Sequence, residues 1–400
     1  MIVKNEEKHL GACLDSVRDM VNEMIIVDTG STDHTIEIAE EKGAEVYHFE
    51  WINDFSVARN YALEQATNPW ILQLDADEEL IESTSNWFYD TYPWAGHKGF
   101  LMTINNLAHE DFDEVFMSHQ LIRFFRNDPT IRYENRIHEN INLPSNSTYV
   151  GSAEASIVHK GYGDESAKDK RKNRNRQLLL QDLEEDPDNP IKIAYLAQHY
   201  GSTGEIEKAY EYAKKALKED LDVYPLRPVC LRFLLYYNVQ QMDKAKFEQD
   251  AADISAHDFP ELLFYRGVFA QRKENWEEAY QFYEQFLEKV YALPKDKRLH
   301  IVSNDNLRNA YLNLAAQATH KNQSLQVIEY LQKAADISPT FYKLKADLGE
   351  NYLKVGNFEK AYQTFSTFKS QLQQMGTEEE KSEWLPVCEQ VLEKLESHIR

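Results

Sequence analysis

Trp70-Ile71-Leu72-Gln73-Leu74-Asp75-Ala76-Asp77-Glu78-Glu79 is an apolar run that ends in carboxylates. Asn68-Pro69 marks a turn just before it, so Ile71, Leu72 and Leu74 read as a short buried strand. Such a strand delivers Asp75 and Asp77 to the rim at its carboxyl end, where open α/β sheets bind ligands. Residues two apart in an extended segment point the same way. The spacing therefore predicts that Asp75 and Asp77 share one hard cation, and that the cation holds a diphosphate. The plainer reading is that acidic residues begin the next helix, near the positive end of its dipole. Glu78 and Glu79 are assigned to that helix start.

Working outward, the residues before this strand alternate between strand and helix. Met1 to Val3 reads as a strand end. Glu6 to Met20 reads as a helix with Leu10, Cys13, Leu14 and Val17 on one face. Met24-Ile25-Ile26-Val27 is a second strand, running into the turn Asp28-Thr29-Gly30-Ser31-Thr32-Asp33 with Asp33 as helix cap. A helix from Thr35 to Lys42 stops at Gly43. Glu45 to Phe49 is a third strand, and Phe55 to Gln65 a helix carrying Arg59 and Asn60. This order predicts a mostly parallel sheet with helices on both faces. From Phe100 to His159 the runs are β-rich, including Phe100–Ile104 and Leu121–Phe125, and complete the same domain on its acceptor side.

The chain has 400 residues, 42% hydrophobic and 12% aromatic, enough for two or three folded domains. A net charge of −23 argues against general nucleic-acid binding. No apolar run is of membrane-spanning length, and the first residues lack a signal-peptide core, which predicts a cytoplasmic protein. Cys13, Cys230 and Cys388 are too few and too scattered for a disulfide framework or a cysteine metal site.

Lys168, Lys170, Arg171, Lys172, Arg174 and Arg176 form a basic run. The reading preferred is the exposed face of a connecting helix, over contact with phosphate or an anionic lipid surface. From Asn189 onward the chain is helical and repetitive. Ala209, Ala245, Ala279, Val327 and Ala361 are taken as equivalent small or apolar positions, separated by 36, 34, 48 and 34 residues. Most of these lie near the period of tetratricopeptide repeats. The wide gap calls for a longer helix or a loop around Leu293-Pro294-Lys295. Stacked helix pairs of this kind form a solenoid. The expected domains are 1–165 for the α/β part, 166–188 for a connecting helix and 189–400 for the repeats.

Several polar residues of the first domain belong together. Asp28 ends the second strand, where its carboxylate suits the N–H of a uracil ring. Arg59 lies on the helix before the acidic strand, within reach of base or phosphate. Arg136-Ile137-His138-Glu139 offers Glu139 as general base. In Ile157-Val158-His159-Lys160-Gly161-Tyr162, His159 is a further candidate metal ligand.

Seven motifs in order resemble family 2 glycosyltransferases. They are Met1–Glu7, Val27–Asp33, Phe55–Asn60, Leu74–Glu78, Arg123–Arg126, Arg136–Glu139 and His159–Tyr162. The closer resemblance is to the bacterial SunS-like group, which carries carboxy-terminal tetratricopeptide repeats and includes peptide glycosyltransferases. The resemblance implies a GT-A fold, a nucleotide-sugar donor (usually UDP-linked), Mn²⁺ or Mg²⁺, and inverting hexosyl transfer. It implies that Asp28 meets uracil, that Arg59 and His138 contact substrate, that Asp75 contacts ribose or metal, and that Asp77 and His159 hold the metal. It puts Glu139 in the place of the catalytic base. In that family several residues usually precede the first motif, so a shortened first strand and a weakened donor pocket are expected.

Two other classes compete. A nucleotidyltransferase would place a Gly-rich, basic phosphate loop after the first strand, where this chain has Lys4-Asn5-Glu6-Glu7-Lys8. A non-catalytic tetratricopeptide scaffold with a degenerate transferase domain would be expected to lose Asp75, Asp77, Arg59 or Glu139, all of which are present. The repeats suggest a peptide, protein or glycan acceptor, and a homodimer through the repeat domain.

Overall fold

The computed structural model describes residues 1–81, 86–90, 96–107, 115–144, 147–160, 168–218, 221, 226–255, 259–294, 302–339 and 341–399. Gly161, Tyr162, Lys295 and the expected boundary at 165/166 lie outside the described residues. The chain divides into two compact units, Met1–Asp188 and Asn189–Arg400. The first is α/β and the second all-α.

In the first unit, β1 (Ile2–Val3), β2 (Ile25–Asp28) and β3 (Glu45–His48) form a parallel sheet in the order β1-β2-β3. Between them run α1 (Leu10–Val17) and α2 (Thr35–Glu41), followed by α3 (Phe55–Gln65). All four residues of the expected α1 face are buried. The helix is shorter than the sequence pattern suggests. Asn5 takes a left-handed φ of 58°, and residues after it form a turn in which Glu6 O accepts the N–H groups of His9 and Leu10. At the end of α2, Gly43 has φ +83°, a conformation that costs a glycine little.

The sheet is not a single, mostly parallel one. β4 (Trp70–Leu72), β5 (Glu78–Leu80), β6 (Gly99–Leu107), β7 (Val115–Arg126) and β10 (Val150–His159) make a second sheet in the order β4-β7-β6-β10-β5. Only β6 and β10 run parallel there; the other pairs are antiparallel. The short α4 (Trp87–Asp90) lies beside it, and β8 (Tyr133–Glu134) pairs with β9 (Asn140–Ile141). Trp70, Trp87, Phe100 and Phe124 fill the core under this sheet, Trp70 stacking on Phe124 at 4.7 Å. A buried aromatic of this kind contributes roughly 1.5–3 kcal/mol. A cavity of about 460 Å³ separates the β1 and β4 edges, lined by Leu14, Val17, Met24, Trp70 and Phe124 among others.

The basic run lies on α5 (Lys168–Glu185). Arg174 sits over the Phe55 ring at 5.1 Å, and Glu185 pairs with Arg136, so the helix is held against the start of α3. Cys13, Cys230 and Cys388 are free and buried.

In the second unit helices pack in successive pairs: α6 (Pro190–Ser202) with α7 (Ile206–Ala216), α8 (Leu226–Gln241) with α9 (Lys244–Ser255), and α10 (Glu261–Arg272) with α11 (Trp276–Ala292). Asn304–His320 packs with Ser324–Ile337, and Lys343–Lys354 with Phe358–Met375; Glu378–Ile399 closes the series. Each turn inside a pair carries one residue of positive φ: Gly204, Met242, Glu274, Asn322 and Gly356. These turns correct one assignment. Ala245 is exposed, and the buried residue at the fourth position of α9 is Phe247. A methionine in the left-handed turn hides the register that glycine marks in the first and last pairs. Among the described residues no helix is long and apolar enough to cross a membrane.

Candidate active site

The loops after β1 and β2 lock together. Thr32 N–H donates to Asn5 Oδ1 (2.8 Å), Glu6 N–H to Thr35 Oγ1 (2.7 Å), and His34 N–H to Glu7 Oε2 (3.1 Å). Asp33 accepts from Glu7 N–H (3.2 Å) and from the N–H and hydroxyl of Thr35. The cap position of α2 belongs to His34, which makes no side-chain cap bond; Asp33 is a turn residue that joins two loops. Asp28 closes the same turn, accepting Gly30 N–H (3.0 Å) and Ser31 N–H (3.0 Å), with its side chain only 4% exposed. It shapes the backbone of this loop.

Asp54 caps α3 through Val57 N–H (3.1 Å), which fixes where Arg59 falls one turn later. The neighbouring Asn60 grips the Tyr133 backbone in both directions, accepting its N–H (2.8 Å) and donating to its carbonyl (2.9 Å). This clamp ties α3 to the chain that leads to Glu139. His138 and Asn135 have φ of 55° and 74°. That kink leaves His138 exposed while Glu139 turns inward.

The strand of the opening motif ends early, at Leu72. Residues 75 to 78 make a turn, in which Glu78 N–H donates to Asp75 O (3.0 Å) and Asp75 N–H to Glu78 Oε2 (2.9 Å). The alternation that would align Asp75 with Asp77 is lost, and the two carboxylates take different partners. Asp75 is held by Arg59 Nη2 (2.9 Å), Arg123 Nη2 (3.3 Å) and Gln73 Nε2 (3.1 Å). Burial alone would raise its pKa, but the two guanidiniums outweigh it and hold the carboxyl well below its usual range. Asp75 was expected among the metal ligands; here its two oxygens face the guanidiniums of Arg59 and Arg123. Among the described residues no three His, Cys, Asp or Glu side chains form a metal-holding cluster.

Glu78 is also corrected. It starts a strand rather than a helix and is buried against Arg123 Nη2 (2.6 Å). Burial pushes its pKa up to about 7, with Arg123 pulling against it and the Asp75 charge adding to it. Arg123 further donates to Gln73 Oε1. Glu79 instead pairs with Lys160 (2.6 Å).

Asp77 and His159 do come together. Lys160 N–H donates to Asp77 O (2.9 Å), and the β10–β5 register sets His159 opposite Glu78. His159 Nε2 lies 3.2 Å from Asp77 Oδ2, and Nδ1 lies 2.8 Å from Asn106 Oδ1. Burial alone would lower the His159 pKa, but Asp77 reverses this and raises it. The side chains of His159 and Asp77 remain 21% and 27% exposed, so a ligand can reach them. One carboxylate oxygen and one imidazole nitrogen suit a divalent transition metal better than a purely oxygen-seeking ion.

Glu139 Oε1 accepts from Arg59 Nε (2.7 Å), and Arg59 also lies over the Tyr133 ring at 5.6 Å. Arg59 thus bridges Glu139 and Asp75. Burial opposes its charge, but these two carboxylates keep it firmly protonated. Sequence reasoning gave no role to Arg123, Asn60 or Asn106, and read Glu78 only as a helix start. Arg123 was visible only as part of an Arg-Phe-Phe-Arg run, and Asn106 carried no signal because its pairing with His159 comes from a strand 53 residues on.

Residues 1–152 match the sequence model of the family described as Glycosyl transferase family 2. A TPR repeat-containing protein of Synechococcus elongatus is 33% identical over 267 residues, 63% of this chain and 62% of that one. The SPbeta prophage-derived glycosyltransferase SunS of Bacillus subtilis is 28% identical over 225 residues, 54% of this chain and 52% of that protein. The chain thus spans between half and two thirds of the length of these curated relatives. Among solved structures, yeast Tom70 is similar with a TM-score of 0.42 and 16% identity, covering 60% of this chain and 45% of that one. Residues 1–152 thus match the family 2 glycosyltransferase model, and residues 189–400 form a separate unit of successive helix pairs.

Proposed function

We propose that this protein is a metal-dependent inverting glycosyltransferase that moves a sugar, of hexosyl type, from a nucleotide diphosphate donor, UDP-linked, to a polypeptide acceptor. The observation that carries the reading is the Asp77–His159 pair, 3.2 Å apart at the rim of the second sheet and open to solvent. Asp77 and His159 would hold Mn²⁺ or Mg²⁺, the imidazole favouring Mn²⁺. When bound, the cation supplies Lewis-acid stabilisation to the departing diphosphate.

The residues of this chain do the rest. The interlocked loops at Asn5–Glu7 and Asp28–Thr35 shape the floor for the nucleotide, with Asp28 fixing the turn. Asp75 acts through Arg59 and Arg123, setting the position of both guanidiniums and offering a contact for ribose. Glu139 takes the proton of the acceptor as its heteroatom attacks the anomeric carbon from the face opposite the diphosphate. The new bond forms there as the sugar–phosphate bond breaks. Arg59 occupies Oε1 of Glu139, and among the described residues Oε2 has no protein partner, so Oε2 is the proton-accepting oxygen. These contacts strengthen as charge moves, which is what speeds the reaction. The helical domain is assigned to the acceptor or a protein partner, and to self-association.

The test is release of UDP from UDP-sugars with Mn²⁺, compared between the wild type and Asp77→Ala, preceded by thermal-shift screening with UDP-, GDP- and dTDP-sugars. Release that requires both Mn²⁺ and Asp77 is expected. Equal, background release by both proteins would reject the enzyme.

A further inference from the structure

A polar row crosses the second sheet behind the Asp77–His159 pair. Asn106 lies on β6, between β7 and β10, and pairs in register with His159. Its side chain is fully buried. On one side Oδ1 is 2.8 Å from His159 Nδ1; on the other Nδ2 is 3.1 Å from His119 Nδ1 on β7. Four side chains from β7, β6, β10 and the turn before β5 thus make one chain of contacts: His119, Asn106, His159, Asp77.

An amide has a donor end and an acceptor end, so the row has a direction. If His119 Nδ1 accepts from Asn106 Nδ2, the amide oxygen must face His159. That oxygen can only accept, and His159 Nδ1 must then carry a proton. With Nδ1 so committed, Nε2 faces Asp77, donating to its carboxylate while protonated and offering its lone pair once a cation displaces that proton. Burial lowers the His119 pKa, with the Arg123 charge adding to it, which favours the imidazole with a nitrogen free to accept. A metal-binding imidazole needs this arrangement, with one nitrogen bound to a fixed acceptor and the other offered to the ion.

We infer that Asn106, oriented by His119, is the positioning residue that holds His159 in its Nδ1–H form and aims Nε2 beside the Asp77 carboxylate to take a divalent cation. This rests on the reading of Asp77 and His159 as cation ligands. Asn106 touches neither substrate nor cation; it acts through His159.

Two measurements on the full chain separate this inference from that reading. In histidine-¹⁵N-labelled protein at pH 8.5, without metal, His159 should carry a proton on Nδ1, its signals assigned by their loss in His159→Gln. Asn106→Leu should shift His159 to a mixture dominated by Nε2–H. Mn²⁺ affinity, read by electron paramagnetic resonance, should fall about 10- to 100-fold in Asn106→Leu. Asn106→Asp keeps the acceptor and should stay within a few-fold of the wild type. Should Asn106→Leu not fold, His119→Phe frees the amide to rotate and should give the same change in part. An unchanged His159 form together with unchanged Mn²⁺ affinity would overturn the inference. A wild type that binds no Mn²⁺ would sink the metal reading, while the imidazole spectra continue to decide whether Asn106 sets the tautomer.

Discussion

Arg59 Nη2 donates to Asp75 Oδ1 across 2.9 Å. The same guanidinium reaches Glu139, so one buried cation serves two carboxylates from distant parts of the chain. Removing it leaves the mostly buried Glu139 without its cation and Asp75 with Arg123 alone. Breaking a buried pair this way costs about 3–5 kcal/mol. Arg59→Ala is expected to lose stability of that order in urea denaturation and to lose UDP-sugar binding. Arg59→Lys keeps the charge but not the planar fork, and should fall between. Wild-type stability in Arg59→Ala would show that the carboxylates are not held by this cation.

Glu139→Gln separates chemistry from folding. The amide oxygen still accepts from Arg59 Nε, so stability should change by no more than ~1 kcal/mol. The proton acceptor is gone, and kcat should drop roughly 10²- to 10⁴-fold with little change in donor binding. Steady-state kinetics with a hydroxyl acceptor checks this. Retention of full kcat would move the base elsewhere.

Asp77→Asn should cut Mn²⁺-dependent stabilisation by UDP while leaving the Asp75 cluster intact. The two carboxylates have separate hydrogen-bond partners, so any coupling in a double variant with Asp75→Asn should run only through their shared charge field at Glu6 and His159 and stay below that of a shared cation. Strong coupling between them would restore the shared-cation arrangement that the 75–78 turn argues against.

Glu6 carries a pH signature. Burial raises its pKa to about 7, reinforced by the charges of Asp77, Asp75 and Asp33 and opposed by Arg171. The folded chain therefore binds more protons than the unfolded one between the ordinary carboxylate value and about 7. Stability contributed there is present below about pH 4.5 and lost as pH rises through 7. Glu6→Gln should match the wild type at pH 5 and exceed it at pH 8. After allowance for its partial exposure the gain is on the order of 1 kcal/mol, a few degrees in Tm at most. A variant less stable than wild type at pH 8 would mean that the carboxylate is held by a partner rather than strained.

How much of this was legible in the sequence differs by feature. Helix faces and caps were, because Leu10, Cys13, Leu14 and Val17, or Asp54 before Val57, act within one or two turns. The site was legible as a set of residues and not as a set of pairs. Asp75 and Asp77 read as one unit because alternation was assumed to continue, whereas the Glu78 side chain captures the Asp75 N–H and folds the segment into a turn. Arg123 acts on Glu78, 45 positions away, and Asn106 on His159, 53 positions away, so local spacing carries no trace of these pairs. The repeat register failed at Ala245, where Met242, at φ 56°, takes the turn position that glycine holds in the first and last pairs.

The helix pairs offer a prediction in which two known effects oppose each other. A Cβ at Gly349 would lie 2.7 Å from Cε2 of Phe365, and one at Gly267 would lie 2.7 Å from Cε1 of Tyr283. Both glycines sit inside helices, where alanine is intrinsically better by roughly 1 kcal/mol. Overpacking a tight core typically costs about 1–3 kcal/mol. Phe365 is a buried ring with other core residues around it, so it cannot simply swing away. Overpacking should therefore win, and Gly349→Ala should lower stability by about 1 kcal/mol net of the helix gain. Adding Phe365→Leu makes room for the new methyl, so the double variant should be more stable than the sum of the two singles predicts. Chemical denaturation of all four proteins reads this directly. A stabilised Gly349→Ala would show that the aromatic ring yields, and that helix propensity alone sets the residue at this position.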